Sequence, residues 1–283
     1  MKENTAIIAL DKAAAALSGV SDTPRLDAEI LLAHALNMDR NEMLMRRHEL
    51  SAPISFTAML SRRMAHEPVA YITGIQHFWD LTLTVNPDVL IPRSDSEALL
   101  DAAVHFFKNK AKPSKILDLG TGSGALILAA LSLFPMAKGV AIDASLSALK
   151  VAAQNSRDTG FADRADFLHL SWRDADWTGV MHGPFDLILC NPPYVETGAD
   201  LLPMVRDYEP ASALFSGEEG LDDYRIVLPS IPDLLAEDGT AIFEIGSAQA
   251  ERVSGIAQDS GLKAVLTHDL AGNPRALTMT KRV

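Results

Sequence analysis

Asn191-Pro192-Pro193-Tyr194 is the segment in which residue types and order could do chemistry. A planar amide or amine nitrogen carries two N–H donors and a lone pair delocalised into its neighbouring π-system. The Asn191 side-chain oxygen and the Pro192 carbonyl can each accept one of those hydrogens. Pro192 and Pro193 have fixed φ and no donor of their own, so they stiffen the turn and hold a carbonyl outward. Tyr194 can lie against the flat group. Two acceptors held in place orient the nitrogen and favour its pyramidalisation as it attacks. Positioning of this kind supplies roughly 7–11 kcal/mol of barrier reduction, and electrostatic preorganisation adds to it. Taken alone, the motif also suits a plain proline-rich turn capped by Asn191.

The electrophile is suggested by Asp118-Leu119-Gly120-Thr121-Gly122-Ser123-Gly124, whose last glycine lies 67 residues before Asn191. The spacing is GxGxG, not the GxGxxG of dinucleotide enzymes. Glycines let backbone approach a ligand without a Cβ in the way. Asp118, placed just before the first glycine, would repel a pyrophosphate and suits an ammonium group, or a water shell around one. Asp143 closes the next apolar run, where a carboxylate accepts both ribose hydroxyls or caps the helix that follows. S-adenosylmethionine carries an ammonium, a ribose and a sulfonium methyl that is already activated, so no metal is needed. Trp172 follows the strand-like Ala165–Leu170 and either stacks on adenine or fills core. Cys190 reads as a small buried residue at a strand end.

These residues need a sheet to position them. Apolar runs alternate with helical ones from about residue 93. Strands are expected at Lys115–Leu119, Gly139–Ile142, Phe185–Cys190 and Ala241–Ile245, with a last one near 275–280. Helices are expected at Ala125–Phe134 and Ser147–Thr159. The pattern is an α/β, doubly wound, Rossmann-like sheet with ligands at the carboxyl ends of its strands. Residues 1–72 read as a small all-helical domain. Its second helix starts with Thr23 as N-cap and Pro24 at the first position, and Asn37 ends it; two more follow near 40–48 and 54–66. Residues 73–92 read as a β-hairpin linker, since Leu81-Thr82-Leu83-Thr84-Val85 alternates and Asn86-Pro87-Asp88 supplies a turn. Tyr71 and Ile72 are counted with that β segment. The remainder, 93–283, is the catalytic domain. Ser216-Gly217-Glu218-Glu219-Gly220 is expected as a mobile acidic loop near the cleft.

Composition narrows the partners. Of 283 residues 48% are apolar, enough for a sizeable core. The single cysteine excludes a disulfide framework and Cys-Cys metal pairs, and the eight histidines show no HExxH spacing, so no metal is expected. No signal-peptide core and no membrane-length apolar run stand out, so a cytoplasmic, membrane-free protein is expected. The net charge is −12. Nearly all of it lies beyond residue 75, since the first 75 residues carry eight Lys/Arg against nine Asp/Glu. An acidic balance argues against nucleic acid as partner. Within the helical segment, Arg46, Arg47, His48, Arg62, Arg63 and His66 form either a solvated face or a protein contact.

With these motifs in view, the chain resembles the HemK/PrmC family of N5-glutamine methyltransferases. The resemblance runs along nearly the whole sequence. It includes Arg25 to His34, Glu67 to Gly74, Phe78-Trp79, Leu90-Ile91-Pro92-Arg93-Ser94-Asp95-Ser96-Glu97, Tyr208-Glu209-Pro210 and Asp269 to Arg275. The family has proline where this chain has Ser94. The resemblance implies a class I methyltransferase fold and a helical substrate-recognition domain. It also implies the substrate, the glutamine of the Gly-Gly-Gln loop of class 1 peptide chain release factors; a monomer is expected. Carried over, the cofactor site for S-adenosyl-L-methionine is Asp118, Gly120, Thr121, Gly122, Ser123, Gly124, Asp143, Trp172 and Asn191; the product is S-adenosyl-L-homocysteine. Substrate contacts fall to Asn191, Pro192, Pro193 and Tyr194, with Asn191, Pro192 and Tyr194 catalytic. The NPPY motif is also shared with adenine-N6 nucleic-acid methyltransferases and a ribosomal-protein glutamine methyltransferase, and the flanking segments favour release factors.

Overall fold

The computed structural model describes residues 5–269 and 272–282. Leu270 and Ala271, within one of the family-like segments, lie outside the described residues. The chain divides into two compact units. One takes in the described residues through Ile75 together with Leu201–Tyr208; the other takes in Gln76–Asp200 and the residues from Glu209 onward.

The first unit is helical: α1 (Ala6–Leu17), α2 (Pro24–Ala35), α3 (Arg40–Arg46), α4 (Ile54–Met64) and α5 (Val69–Thr73). Leu10, Leu17, Leu31, Leu32, Met43, Phe56 and Ile72 share its core. Asn37 closes α2 with φ +52, as a residue past a helix end can. Thr23 stands at the N-cap without a side-chain cap bond; its hydroxyl donates instead to Asp27, 3.1 Å. Tyr71 and Ile72 sit on α5, not on a strand. Pro68 permits the helical turn and Gly74, in the left-handed region, ends it.

The basic residues of this unit are largely spent internally. Arg63 is 3% exposed and pairs with Asp27 at 2.8 Å. Arg62 pairs with Glu67 at 2.5 Å, and Arg46 with Glu42 at 2.9 Å. Glu29 receives both Arg25 and Arg40, at 2.8 and 2.6 Å. Partial burial pushes the Glu29 carboxyl up, but the two guanidiniums outweigh it and hold it below the usual range.

A hairpin of β1 (Ile75–Phe78) and β2 (Leu81–Thr84) follows, and from Gln76 it is grouped with the second unit. Its turn is at Trp79-Asp80, with Trp79 at φ +55, while the turn at Asn86-Pro87-Asp88 follows β2. Phe78 and Leu83 of the hairpin belong to the same core as Leu99 and Leu128, so the hairpin is part of this unit.

Beyond α6 (Glu97–Phe106) the chain builds the sheet with β3 (Lys115–Leu119), α7 (Ala125–Leu133), β4 (Lys138–Asp143), α8 (Leu146–Asp158), β5 (Ala165–His169) and β6 (Phe185–Cys190). Then come α9 (Pro203–Arg206, grouped with the helical unit), α10 (Asp222–Val227), α11 (Ile231–Leu234), β7 (Leu235–Glu244), α12 (Ala250–Asp259), β8 (Leu262–His268) and β9 (Pro274–Lys281). The seven strands run in the order β5-β4-β3-β6-β7-β9-β8. All neighbours through β7 pair in parallel; β9 pairs antiparallel with both β7 and β8.

Period two sorts the strand side chains onto two faces. Ile116, Leu187 and Leu189 face the core shared with α7, and Leu117, Leu119, Ile188 and Cys190 face the one shared with Tyr224, Val227 and Val253. Helices on both faces make the fold α/β and doubly wound, as the alternation of runs requires. From β3 the chain winds outward through β4 and β5, then returns through β6 to the other side of β3. The strand order therefore reverses at β3 and β6, and crevices at such a point bind ligands. Among the described residues, no helix is long and apolar enough to cross a membrane.

Candidate active site

Above the carboxyl ends of β3, β4 and β6 lies a cavity of about 430 Å³, within the range of small-molecule sites. Its walls include Gly120, Thr121, Gly122, Ser123, Asp143, Trp172, Asn191 and Pro193. Eight of the sequence-read site residues thus converge on one space. Asp118, Gly124, Pro192 and Tyr194 are not on its wall. The walls also include Val89, Leu90 and Ser96 from the segment after β2, and Pro210, Ser212 and Ala213.

The glycine loop is held by its neighbours. The amides of Gly120 and Thr121 both donate to the Ile142 carbonyl, at 2.9 and 3.0 Å. The Gly122 amide donates to Asp143 Oδ2, 2.8 Å, and the Ser145 amide to Asp143 Oδ1, 2.8 Å. Asp143 therefore shapes the loop as well as facing the cavity, and each of its oxygens keeps a lone pair. The cap of α8 is Ser145, which accepts from Ala148, so Asp143 is not the capping residue. Burial pushes the Asp143 carboxyl up, against the pull of those amides. From α8, Asn155 Nδ2 donates to Ser123 O and Thr84 O, and its Oδ1 accepts from Thr84 N, tying loop to hairpin.

Gly120 has φ +73, and a Cβ there would lie 3.0 Å from Trp172 Cη2. Both facts require glycine. The Trp172 ring thus rests against the loop backbone. Its Nε1 donates to Asp223 Oδ1, 2.7 Å, which also takes Arg173, while Ser216 Oγ donates to Asp223 Oδ2. Trp172 lines the cavity and also packs against the core.

Asp118 lies fully buried beneath the loop. Its Oδ2 accepts from Thr121 Oγ1 at 2.7 Å, and its Oδ1 has no partner among the described residues. Burial raises its pKa to about 7. Asp118 is not on the cavity wall. A buried carboxylate with an unfilled acceptor nonetheless suits a cation or a bridging water above it.

The Asn191 turn leaves β6 and meets a buried cluster. Asn191 Nδ2 donates to Ser96 Oγ, 3.2 Å, and Ser96 Oγ donates to Glu244 Oε2, 2.5 Å. Tyr194 OH donates to Glu244 Oε1, 3.1 Å, and Tyr224 OH to the Glu244 carbonyl, 2.7 Å. Glu244 is 1% exposed. Burial raises its carboxyl above the usual range, opposed by Ser96, Arg275 and Tyr194. Burial, then the Glu244 charge, pushes the Tyr194 hydroxyl well up, so Tyr194 is neutral. The Tyr194 carbonyl accepts from Gln249 Nε2, 3.0 Å.

The acidic loop backs this turn and is anchored. Gly220 has φ +67, and a Cβ there would meet the Tyr194 carbonyl oxygen at 2.2 Å. Glu219 bridges Arg225 and Arg252, and Ser216 and Thr197 make backbone bonds to Val195 and Gly217. The expectation of a mobile loop gives way to these contacts.

Residues 90–97 are fastened the same way. Arg93 pairs with buried Glu209, Trp79 N donates to Glu97 Oε1, and Arg275 reaches Asp95 at 2.9 Å. Ser94, where the family has proline, stands in a short 3-10 turn, Ser94–Ser96. Sequence reasoning singled out neither Glu244 nor Asp223, and quoted Ser96 without a role. A lone carboxylate inside the apolar run Ala241 to Ile245 was a readable signal for Glu244; Asp223 had none.

Comparison with known proteins agrees with this layout. The model of the PrmC N-terminal domain matches residues 9–74, and that of a methyltransferase domain matches 110–273. The release factor glutamine methyltransferase of Rhodospirillum rubrum is 37% identical over 267 residues, covering 92% of this chain and 80% of the relative. That of Caulobacter vibrioides is 38% identical over 266 residues, covering 92% and 90%. Among solved structures, a methyltransferase from Pyrococcus furiosus superposes with TM-score 0.52 at 17% identity, over 80% of this chain and 98% of its own; at that identity the likeness bears on the fold alone.

Proposed function

The chain belongs to the family of release factor glutamine methyltransferases, and on that premise we propose that it methylates the side-chain amide nitrogen, N5, of the glutamine in the Gly-Gly-Gln loop of class 1 peptide chain release factors. One observation carries the reading: Asn191, held by Ser96, lines the same cavity as the glycine loop and Asp143. When bound, S-adenosyl-L-methionine supplies a methyl group already activated on a sulfonium and leaves as S-adenosyl-L-homocysteine.

The residues present fit that cofactor. Gly120, Thr121, Gly122 and Ser123 would hold it through exposed backbone, with Gly124 turning the chain into α7. Asp143 would accept from ribose hydroxyls, and Trp172 would face the adenine. Asp118, below the loop with an unfilled oxygen, would favour the ammonium end through the intervening backbone or a water.

Asn191 Oδ1 and the Pro192 carbonyl accept the two hydrogens of the glutamine amide. With both hydrogens held, the nitrogen lone pair is drawn out of conjugation and toward the methyl. Tyr194, neutral and tied to Glu244 behind the cavity wall, would support the turn that carries these acceptors, and Pro193 lines the wall beside them. No base is needed beforehand, because the proton leaves a nitrogen that methylation has made acidic. On this reading the helical unit recognises the release factor, and the enzyme works in the cytoplasm as a monomer. Adenine-N6 methylation draws no support beyond the shared motif, and the acidic balance opposes it.

Asn191→Ala tests the assignment. The account expects kcat to fall about a hundredfold or more, the usual cost of losing one preorganised polar contact to the reacting group. The dissociation constant of S-adenosyl-L-homocysteine should stay within about threefold. Cofactor affinity falling in parallel with kcat would make Asn191 a binding residue instead.

A further inference from the structure

A side-chain amide has two chemically opposite ends, and the Asn191 turn works only if the oxygen end faces the substrate. Nothing in Asn191 itself decides this. Its Nδ2 and Oδ1 are nearly the same size, so shape cannot choose between them. The choice must come from the group behind the amide.

That group is Ser96, and a hydroxyl alone does not choose either, since it can donate or accept. Glu244 removes the ambiguity. It is fully buried and, as a carboxylate, has only acceptors. Ser96 Oγ lies 2.5 Å from Glu244 Oε2, so its one proton is committed there. Only lone pairs of Ser96 Oγ then face Asn191, and only the Nδ2 end of the amide can meet them, at 3.2 Å. Tyr194 OH donates to the other Glu244 oxygen, so both oxygens of the carboxyl group act as acceptors here.

We infer that Ser96 and Glu244 are positioning residues that set the polarity of the Asn191 amide, and that this polarity makes the site select a carboxamide over a carboxylate. The inference rests on the glutamine reading above. A glutamine offers two N–H donors to Asn191 Oδ1 and the Pro192 carbonyl. A glutamate at the same place offers only oxygen lone pairs, opposed to both acceptors, and sites built this way reject the wrong polar group strongly. Without Ser96 the amide can turn over and present Nδ2, which welcomes a carboxylate.

The test uses the full-length enzyme as wild type, Ser96→Ala and Ser96→Thr. Methyl transfer is measured to a class 1 release factor. A Gln→Glu loop variant of that factor serves as inhibitor, and a Gln→Ala variant controls for docking. S-adenosyl-L-homocysteine affinity reports whether the cofactor site is intact. In Ser96→Ala, kcat/KM should fall about tenfold or more, with cofactor affinity within about twofold. Inhibition by the Gln→Glu factor, relative to the Gln→Ala factor, should rise at least about threefold over wild type. Ser96→Thr, which keeps the hydroxyl, should restore both quantities toward wild type. The inference is overturned if Ser96→Ala keeps its rate, if it loses cofactor affinity in parallel, or if the Glu-to-Ala inhibition ratio does not move. A wild-type enzyme that leaves the release factor unmethylated would sink the functional reading itself, a distinct result.

Discussion

Asp118, proposed for the cofactor site, is also a liability to the fold. It is fully buried, one oxygen has no partner, and its pKa is about 7. In the unfolded chain the same carboxyl titrates near 3.8. Between these values the folded state holds a proton that the unfolded state has lost. Stability from this group is therefore full below about pH 4 and declines as pH rises to about 7, by at most about 1.4 kcal/mol per unit. Asp118→Asn should remove the slope. Urea unfolding of both proteins from pH 5 to 7 checks it: the wild type should lose stability relative to the variant, and parallel curves would contradict the burial account. At the same scale, the residues proposed for the site were legible because their types are unusual where they stand. Asn191 before two prolines, Asp118 before glycine and Asp143 at a strand end each announce themselves. Ser96, Asp223 and Asn155 meet their partners across 95, 51 and 71 residues of sequence. No local pattern records such partners.

The elements were legible where one periodicity ran unbroken. Strands β3, β4 and β6 and helices α7 and α8 fall within a residue or two of expectation. Helix α5 was hidden because Tyr71 and Ile72 favour strands in isolation, while Pro68 and Gly74 bracket a single helical turn. Strand β8 alternates buried and exposed residues only weakly, at an outer edge of the sheet. Two glycines let these elements approach closely, and they make separable predictions. Gly120→Ala forces a Cβ onto the Trp172 ring at a left-handed residue, so cofactor affinity should drop at least about tenfold. Gly220→Ala meets a backbone carbonyl that cannot swing aside. It should cost at least about 1–2 kcal/mol and lower kcat by shifting the Tyr194 turn, with cofactor affinity largely kept. Thermal unfolding with S-adenosyl-L-homocysteine titration separates the two; equal loss of cofactor affinity in both variants would contradict the assignment of separate tasks.

For the whole molecule, sequence alternation gave the sheet, but not how contacts group the chain. The helical unit takes in Leu201–Tyr208 from far along the sequence, where Tyr208 OH donates to the Ala65 carbonyl at 2.7 Å. Likewise, the apparent basic cluster of this unit includes an arginine buried as a structural partner of Asp27. The charge balance and the family-like segments turned the reading from nucleic acid toward a protein glutamine, and the cavity then gathered eight of the residues named for it. Site-resolved transfer is the most direct test. The protein is incubated with isotopically labelled S-adenosyl-L-methionine and, separately, a class 1 release factor, the same factor with its loop Gln→Ala, a ribosomal protein fraction and duplex DNA. The account predicts label on the intact release factor alone, located by tandem mass spectrometry on the side-chain nitrogen of the Gly-Gly-Gln glutamine. Label on DNA, or equal label on the Gln→Ala factor, would contradict it.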